Sequence, residues 1–214
     1  GITSIIFSLE MSQNDIAMRM LSAESSVFMS KMMKGEMTER DWRKVSETTG
    51  KISEAPIFVD DSANVTMTEI RSKCHRLKQQ HNLGLVVVDY LQLMNANGMK
   101  FGNRQEEVST ISRSLKGLAK ELDIPIIALS QLNRGVEGRE GNEGKRPQLS
   151  DLRESGAIEQ DADMVLFVHR PEYYRIYQDE QGRDLRGMAE IIIAKHRKGA
   201  TDIVVLKFLG QFTR

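Results

Sequence analysis

Residues Leu85-Val86-Val87-Val88-Asp89-Tyr90-Leu91-Gln92-Leu93-Met94 decide how this chain folds. Four apolar residues run without alternation into a carboxylate. A strand with one wet face alternates apolar and polar positions, whereas a strand covered on both faces, as in a parallel sheet between helices, does not. In open α/β sheets, ligands bind beyond the carboxyl ends of the strands. Asp89 therefore stands where a carboxylate can hold Mg2+ through oxygen or water contacts, beside nucleotide phosphates. An aspartate that merely caps a turn fits the same ten residues, so the rest of the chain has to separate the two.

Working outward, the same apolar run recurs at Ser4–Leu9 before Glu10, at Ile57–Val59 before Asp60-Asp61, at Ile126–Ser130 before Gln131, and at Met164–Val168. Helical signals lie between them. Ser12 can cap a helix with Asp15 three residues on and an apolar stripe of Ile16, Met20 and Leu21. A Met-rich helical stretch runs to Lys34-Gly35. Thr38 opens another helix, with Trp42 and Val45 on one side. Thr66 or Thr68 opens a third, through Ile70, Cys74 and Leu77. Residues 108–122 place Val108, Ile111, Leu115, Leu118 and Leu122 on one face, and Ser150–Gln160 predicts a short helix with its entry turn.

Residues 95–107 and 133–148 read as mobile polar loops; the second has four glycines with Arg134, Arg139, Lys145 and Arg146, and little capacity to pack. Residues 171–186 form a polar excursion of hairpin character. Strands over 189–194 and 203–208 are joined by the basic turn His196-Arg197-Lys198-Gly199. Strands alternating with helices predict an α/β fold: a mostly parallel twisted sheet flanked by helices, with antiparallel strands at the C-terminal end. The length of 214 residues suits one large domain, and no internal boundary stands out.

Bulk properties narrow the function. Lys+Arg and Asp+Glu are both 30, so the net charge is zero. Any nucleic-acid surface must be local or assembled from several subunits. The single cysteine, Cys74, excludes an internal disulfide framework and an all-cysteine metal site within one chain. No apolar run reaches the length of a membrane span, and no signal peptide opens the chain. Gly1-Ile2-Thr3 leads almost at once into a buried strand, as if a domain were entered midway.

Three strands end in Glu10, Asp89 and Gln131. If those strands are parallel neighbours, the three groups converge on one edge, and their chemistry is complementary. Glu10 can orient and deprotonate a water, Asp89 can hold the metal, and Gln131 can hydrogen-bond a terminal phosphate. That set fits phosphoryl transfer, which is mostly positioning and charge stabilisation. Lys195 and Arg197 are separated by one residue at a strand end, so they point the same way. They could stabilise phosphate charge in a neighbouring subunit's site, although their spacing alone favours a solvated basic hairpin. The acidic segment 151–163 surrounds Arg153, and a helix starting near Gly156 offers free backbone N–H groups to a backbone phosphate. A surface helix with internal ion pairs is the plainer account of that segment. Aromatic residues are only 6% of the chain and none interleaves the basic loops, so base stacking is not indicated.

Phe7-Ser8-Leu9-Glu10-Met11, Val88–Met94, Ser130-Gln131-Leu132-Asn133-Arg134, Asp151–Asp163 and Lys195–Gly199 stand in order along the chain. Together they resemble the C-terminal motor domain of DnaB-type replicative DNA helicases, over essentially the whole sequence. The resemblance implies a RecA-like P-loop NTPase core that uses ATP and Mg2+. It also implies a homohexameric ring translocating on single-stranded DNA, with primase and a helicase loader as partners, in the bacterial cytoplasm at the replisome.

On this resemblance Glu10 is the catalytic glutamate, Asp89 the Walker B aspartate and Gln131 the phosphate sensor. Lys195 and Arg197 form the trans-acting basic pair. Arg153, Glu154 and Gly156 follow the DNA backbone, and the loops 95–107 and 133–148, with Arg134, face the ring channel. One part is absent: no GxxxxGK followed by Ser or Thr occurs in these residues. The resemblance places a strand, that loop and its helix just before Gly1, so the chain reads as a motor domain truncated at its N-terminus and inactive alone. A RecA-like recombinase and a non-catalytic module of the same fold remain as alternatives, and the joint presence of Glu10, Asp89, Gln131 and Arg197 argues against the module.

Overall fold

The computed structural model describes residues 1–95 and 101–214, leaving the side chains at 142 and 153–156 undescribed. The chain divides into two compact units, Gly1–Ser130 with Gly210–Arg214, and Gln131–Leu209.

The first unit is built on four parallel strands in the order β2-β1-β3-β4: β1 Ser4–Ser8, β2 Ile57–Asp60, β3 Leu85–Asp89 and β4 Ile126–Ala128. The register pairs Ile6 with Val59 on one side and Ser8 with Asp89 on the other, and Val88 pairs with Ala128. Ile5, Phe7, Val86 and Val88 are at most 3% exposed, while Val87 is only half-buried. The burial expected on both faces of β3 is thus complete on one.

Helix α1 (Gln13–Ser25), α3 (Glu39–Ser53) and α4 (Met67–His81) begin in the same way. Ser12, Thr38 and Thr66 each accept the backbone N–H three residues on, and the carboxylate there (Asp15, Asp41, Glu69) bonds back to the cap. This capping box satisfies two otherwise orphan donors. It settles the choice between Thr66 and Thr68. The short helix α2 (Met29–Lys34) ends at Gly35, whose left-handed φ of 70° suits glycine. Trp42 on α3 is 55% exposed.

Helix α5 (Arg104–Leu122) starts four residues before the apolar pattern does. Asn103 caps it, and Arg104 donates to the carbonyls of Gln92 and Met94. Its Val108, Ile111, Leu115 and Leu118 are buried, as are Ile70, Cys74 and Leu77 of α4, and the two helices touch. Of the loop expected over 95–107, residues 96–100 lie outside the described residues.

The second unit holds an antiparallel sheet, β5-β6-β7, from β5 (Met164–His169), β6 (Met188–His196) and β7 (Asp202–Lys207). Here two expectations change. Strand β5 is separate from the parallel sheet and antiparallel to β6. It is also buried on one face only: Val165, Phe167 and His169 are buried, whereas Met164, Leu166 and Val168 are exposed. An antiparallel sheet can leave one face uncovered, so an unbroken apolar run need not mean burial on both sides. Residues 133–148 are not an unpacked loop either. They form a 3-10 turn (Arg134–Gly138) and the short helix α6 (Gly141–Lys145), with Val136 3% exposed. Arg139 pairs with Asp151 through both of its terminal nitrogens, and Arg146 pairs with Glu190. Charges counted as solvated therefore have buried partners. Residues 149–155 make a 3-10 segment that runs into helix α7 (Gly156–Asp161). The polar excursion does contain a hairpin tip, bridged at Gln178 and Asp184 with Gly182 at φ 78°.

Candidate nucleotide site

The carboxyl edge of the parallel sheet carries the first candidates. Strand β3 lies between β1 and β4, so the strands leading to Glu10, Asp89 and Gln131 are consecutive parallel neighbours, with Asp89's strand in the middle. The last rung of the β1–β3 ladder is the Leu9 N–H donating to the Asp89 carbonyl at 2.8 Å. Glu10 is the next residue after that rung, one step past the paired ends of β1 and β3. Glu10 is exposed and Asp89 half-buried. The peptide between Asp89 and Tyr90 is cis. Beyond it, Leu91 N–H donates to Leu129 O at 3.0 Å, and Gln92 Nε2 donates to Ser130 Oγ at 2.8 Å. These bonds tie the exit of β3 to the exit of β4.

The turn holding Glu10 is fixed from both sides. Ser8, 1% exposed, donates its hydroxyl to Met11 O at 2.7 Å and accepts Met11 N–H at 3.3 Å. Gln13 N–H, at the start of α1, donates to Asp61 Oδ2 at 2.8 Å. Beside Asp61, burial pushes the Asp60 carboxyl up, but hydrogen bonds from Lys73 and Ser62 outweigh it and hold the group below its ordinary value. Sequence reading named Asp60-Asp61 only as a strand end and passed over Ser8. The signal available was that Asp60-Asp61 repeats the apolar-run-then-carboxylate pattern of Asp89.

Among the described residues no group of three His, Cys, Asp or Glu side chains could hold a metal ion. A closed all-protein cage is therefore not what this edge offers. Magnesium is commonly held by one or two carboxylates together with waters and substrate phosphates. A single half-buried carboxylate at a strand end, as Asp89 is, fits that mode.

Gln131, Lys195 and Arg197 belong to the second unit. Gln131 is its exposed first residue and directly follows Ser130. Lys195 and Arg197 do reach the same side, and both reach helix α7. Lys195 Nζ donates to Glu159 O, and Arg197 donates to Gln160 O at 3.0 Å. Arg197 also lies 3.2 Å from the Asp163 carboxylate, and its backbone N–H donates to Asp163 O. The last carbonyls of a helix have no intrahelical partner, and cations there are favoured. The pair thus closes the C-terminal end of α7.

Arg134 is exposed at the start of its 3-10 turn. The side chains of Arg153 and Glu154, and the close environment of Gly156, lie outside the described residues. The backbone around them is tied down at Asp151, which is 6% exposed: its carboxylate accepts Gln148 N–H at 2.7 Å as well as Arg139, and its carbonyl accepts Asn133 N–H at 3.2 Å. No helix among the described residues is long and apolar enough to cross a membrane.

Comparison with known proteins shows the family. A family model described as DnaB-like helicase C-terminal domain matches residues 1–214. A protein of Leifsonia xyli named replicative DNA helicase DnaB is 52% identical over 211 residues, covering 99% of this chain and 44% of that protein. One of the same name from Geobacillus stearothermophilus is 48% identical, over 98% of this chain and 44% of that protein. The chain therefore spans under half the length of these relatives. Among solved structures, a DnaB-like replicative helicase described with its interactions with primase superposes with a TM-score of 0.89 at 37% identity, over 99% of this chain and 49% of that chain.

Proposed function

We propose, because this chain belongs to the family of DnaB-like helicase C-terminal domains, that it is the ATP-driven motor of a replicative DNA helicase. The observation that carries the reading is the parallel β1–β3–β4 arrangement, in which the strands leading to Glu10 and Asp89 are paired neighbours and β4 lies on the other side of β3. In this reading Glu10 orients the attacking water and takes its proton. Asp89 would hold Mg2+ through water. The ion, when bound, supplies charge neutralisation between the phosphates. Gln131 hydrogen-bonds the terminal phosphate. Lys195 and Arg197 act on the nucleotide of an adjacent subunit in a homohexamer. Arg153, Glu154, Gly156 and Arg134 contact the backbone of single-stranded DNA. Primase and a helicase loader are the partners, and the protein works in the cytoplasm at the replisome.

The phosphate cradle that such chemistry needs is not among these 214 residues, and the reading assigns it to sequence outside them. The test has two arms. In the full-length natural protein, Glu10→Gln should abolish DNA-stimulated ATP hydrolysis, by about 100-fold or more, and spare nucleotide binding. The 214 residues alone should show no turnover. Wild-type hydrolysis by Glu10→Gln would refute the role of Glu10, and DNA-stimulated turnover by the 214 residues would refute the incomplete site.

A further inference from the structure

Glu10 is exposed, and an exposed carboxylate on a free turn would sample many positions. A general base has to sit within hydrogen-bond reach of the proton it takes, and misplacement by about 1 Å can cost 100-fold in rate. The turn is pinned at every neighbouring residue. Leu9 is held to β3 by its bond to Asp89 O, and Met11 is held at both its N–H and its carbonyl by the buried Ser8 hydroxyl. Ser12 and Asp15 form the capping box, and Gln13 N–H is held by Asp61 from the end of β2. The strand on each side of β1 thus contributes one anchor, and Ser8 supplies the third from within.

We propose that Ser8 and Asp61 are positioning residues for Glu10: Ser8 closes the turn that presents the carboxylate, and Asp61 fixes the start of α1 behind it. Neither has a role in the chemistry, and neither needs to touch nucleotide. The inference rests on the reading of Glu10 as the water-activating group.

The chemistry of each contact sets the choice of variants. Removing the buried Ser8 hydroxyl leaves the Met11 N–H and carbonyl without that partner. Removing the Asp61 carboxylate frees the Gln13 N–H, whereas asparagine keeps an oxygen that can accept it.

The experiment is steady-state ATP hydrolysis by the full-length natural protein with saturating single-stranded DNA, comparing Ser8→Ala, Asp61→Ala, Asp61→Asn and Glu10→Gln. Ser8→Ala should lower kcat about 10-fold and Asp61→Ala about 3-fold or more, with KM for ATP within about twofold, since ground-state binding is untouched. Asp61→Asn should recover most of the rate. In the Glu10→Gln background neither alanine variant should lower the residual rate further, because the group they position is gone. Equal losses with and without Glu10 would overturn the inference, since the residues would then act on the fold at large. So would unchanged kcat in both alanine variants. If Ser8→Ala fails to fold, the Asp61 pair carries the same comparison. Full turnover by Glu10→Gln would be a distinct result: it removes the role of Glu10, and this inference with it, whatever Ser8 and Asp61 do.

Discussion

Replacing Arg146 by alanine should loosen the antiparallel sheet far more than its place in a glycine-rich basic stretch suggests. Arg146 donates from Nε to Glu190 Oε2 at 2.8 Å and from a terminal nitrogen to Oε1 at 2.6 Å, a bidentate pair on strand β6. The Glu190 side chain is 8% exposed and that of Arg146 25%. The Glu190 hydrogen bonds raise the guanidinium above its ordinary range. Losing the arginine strands a buried carboxylate, and breaking a buried pair from one side costs about 3–5 kcal/mol. At about 1.4 kcal/mol per tenfold, the low end is roughly a 100-fold loss of amide protection in β6. Hydrogen exchange followed by mass spectrometry on peptides spanning 188–196 reads this locally, without requiring the two units to unfold together. The double variant Arg146→Met with Glu190→Leu should be less damaging than Arg146→Ala alone, since it removes both charges. Arg43→Ala, which breaks an exposed pair with Glu39, should leave exchange in its helix near wild type. A change of less than threefold in β6 for Arg146→Ala would refute the argument, as would a double variant at least as damaging as both single changes combined.

Two further outcomes follow from buried titratable groups. His169 is 1% exposed and stacks on Tyr174, and burial leads the causes that lower its pKa below the ordinary 6.5, with Arg146 lowering it further while Glu190 and Glu143 oppose. As pH falls below that value the unfolded chain takes up a proton that the folded one refuses. The contribution of His169 to stability is therefore complete above pH 6.5 and declines below it, by at most about 1.4 kcal/mol per pH unit, until the lower folded value is reached. His169→Phe should flatten denaturation midpoints between pH 7 and pH 5, and an unchanged slope would sink the assignment. Burial pushes the Cys74 thiol up to about 12, and the residue is 0% exposed, so thiol reagents at pH 8 should modify it only at the rate of opening around α4. Fast labelling of the native protein would contradict this.

How much of this was legible in the sequence varies by element, for physical reasons. The three capping boxes are local, so Ser12 and Thr38 could be named from spacing alone and the third cap narrowed to Thr66 or Thr68, of which the structure shows Thr66. The start of α5 was missed because it was read from the apolar stripe, which begins at Val108; the local cap Asn103, which accepts the Glu106 N–H, was the available signal, and the Arg104 contacts to Gln92 and Met94 carbonyls were not. Strand β5 was misread because an apolar run reports composition, while the presence of a covering layer depends on elements elsewhere in the chain. The stretch 133–148 looked unpackable because composition counts charges without their partners; Asp151 and Glu190 lie far enough along the chain to be invisible as partners of Arg139 and Arg146. The adjacency of the strands leading to Glu10, Asp89 and Gln131 was legible, because alternating strands and helices imply parallel neighbours, and β3 does lie between β1 and β4. Ser8 was not, since a buried hydroxyl bonding its own turn leaves no pattern.

Lys195 and Arg197 show most clearly what spacing can and cannot say. Alternate positions on a strand put both side chains on one side, and the structure agrees. It also gives them occupants: the carbonyls of Glu159 and Gln160 and the carboxylate of Asp163. A cation that closes the end of α7 reaches a phosphate in another subunit only by releasing or sharing those acceptors. The proposed role in trans is therefore a competition between two sets of oxygens for the same two charges, not an addition of free cations to a neighbour's site. Phosphate carries more charge than either carbonyl, whereas the Asp163 carboxylate is itself a charged acceptor. If the pair gave up those acceptors to engage nucleotide, α7, which begins at Gly156 in the segment proposed to follow DNA, would lose its C-terminal closure. The two proposed surfaces of this unit would then be joined by the six residues of that helix.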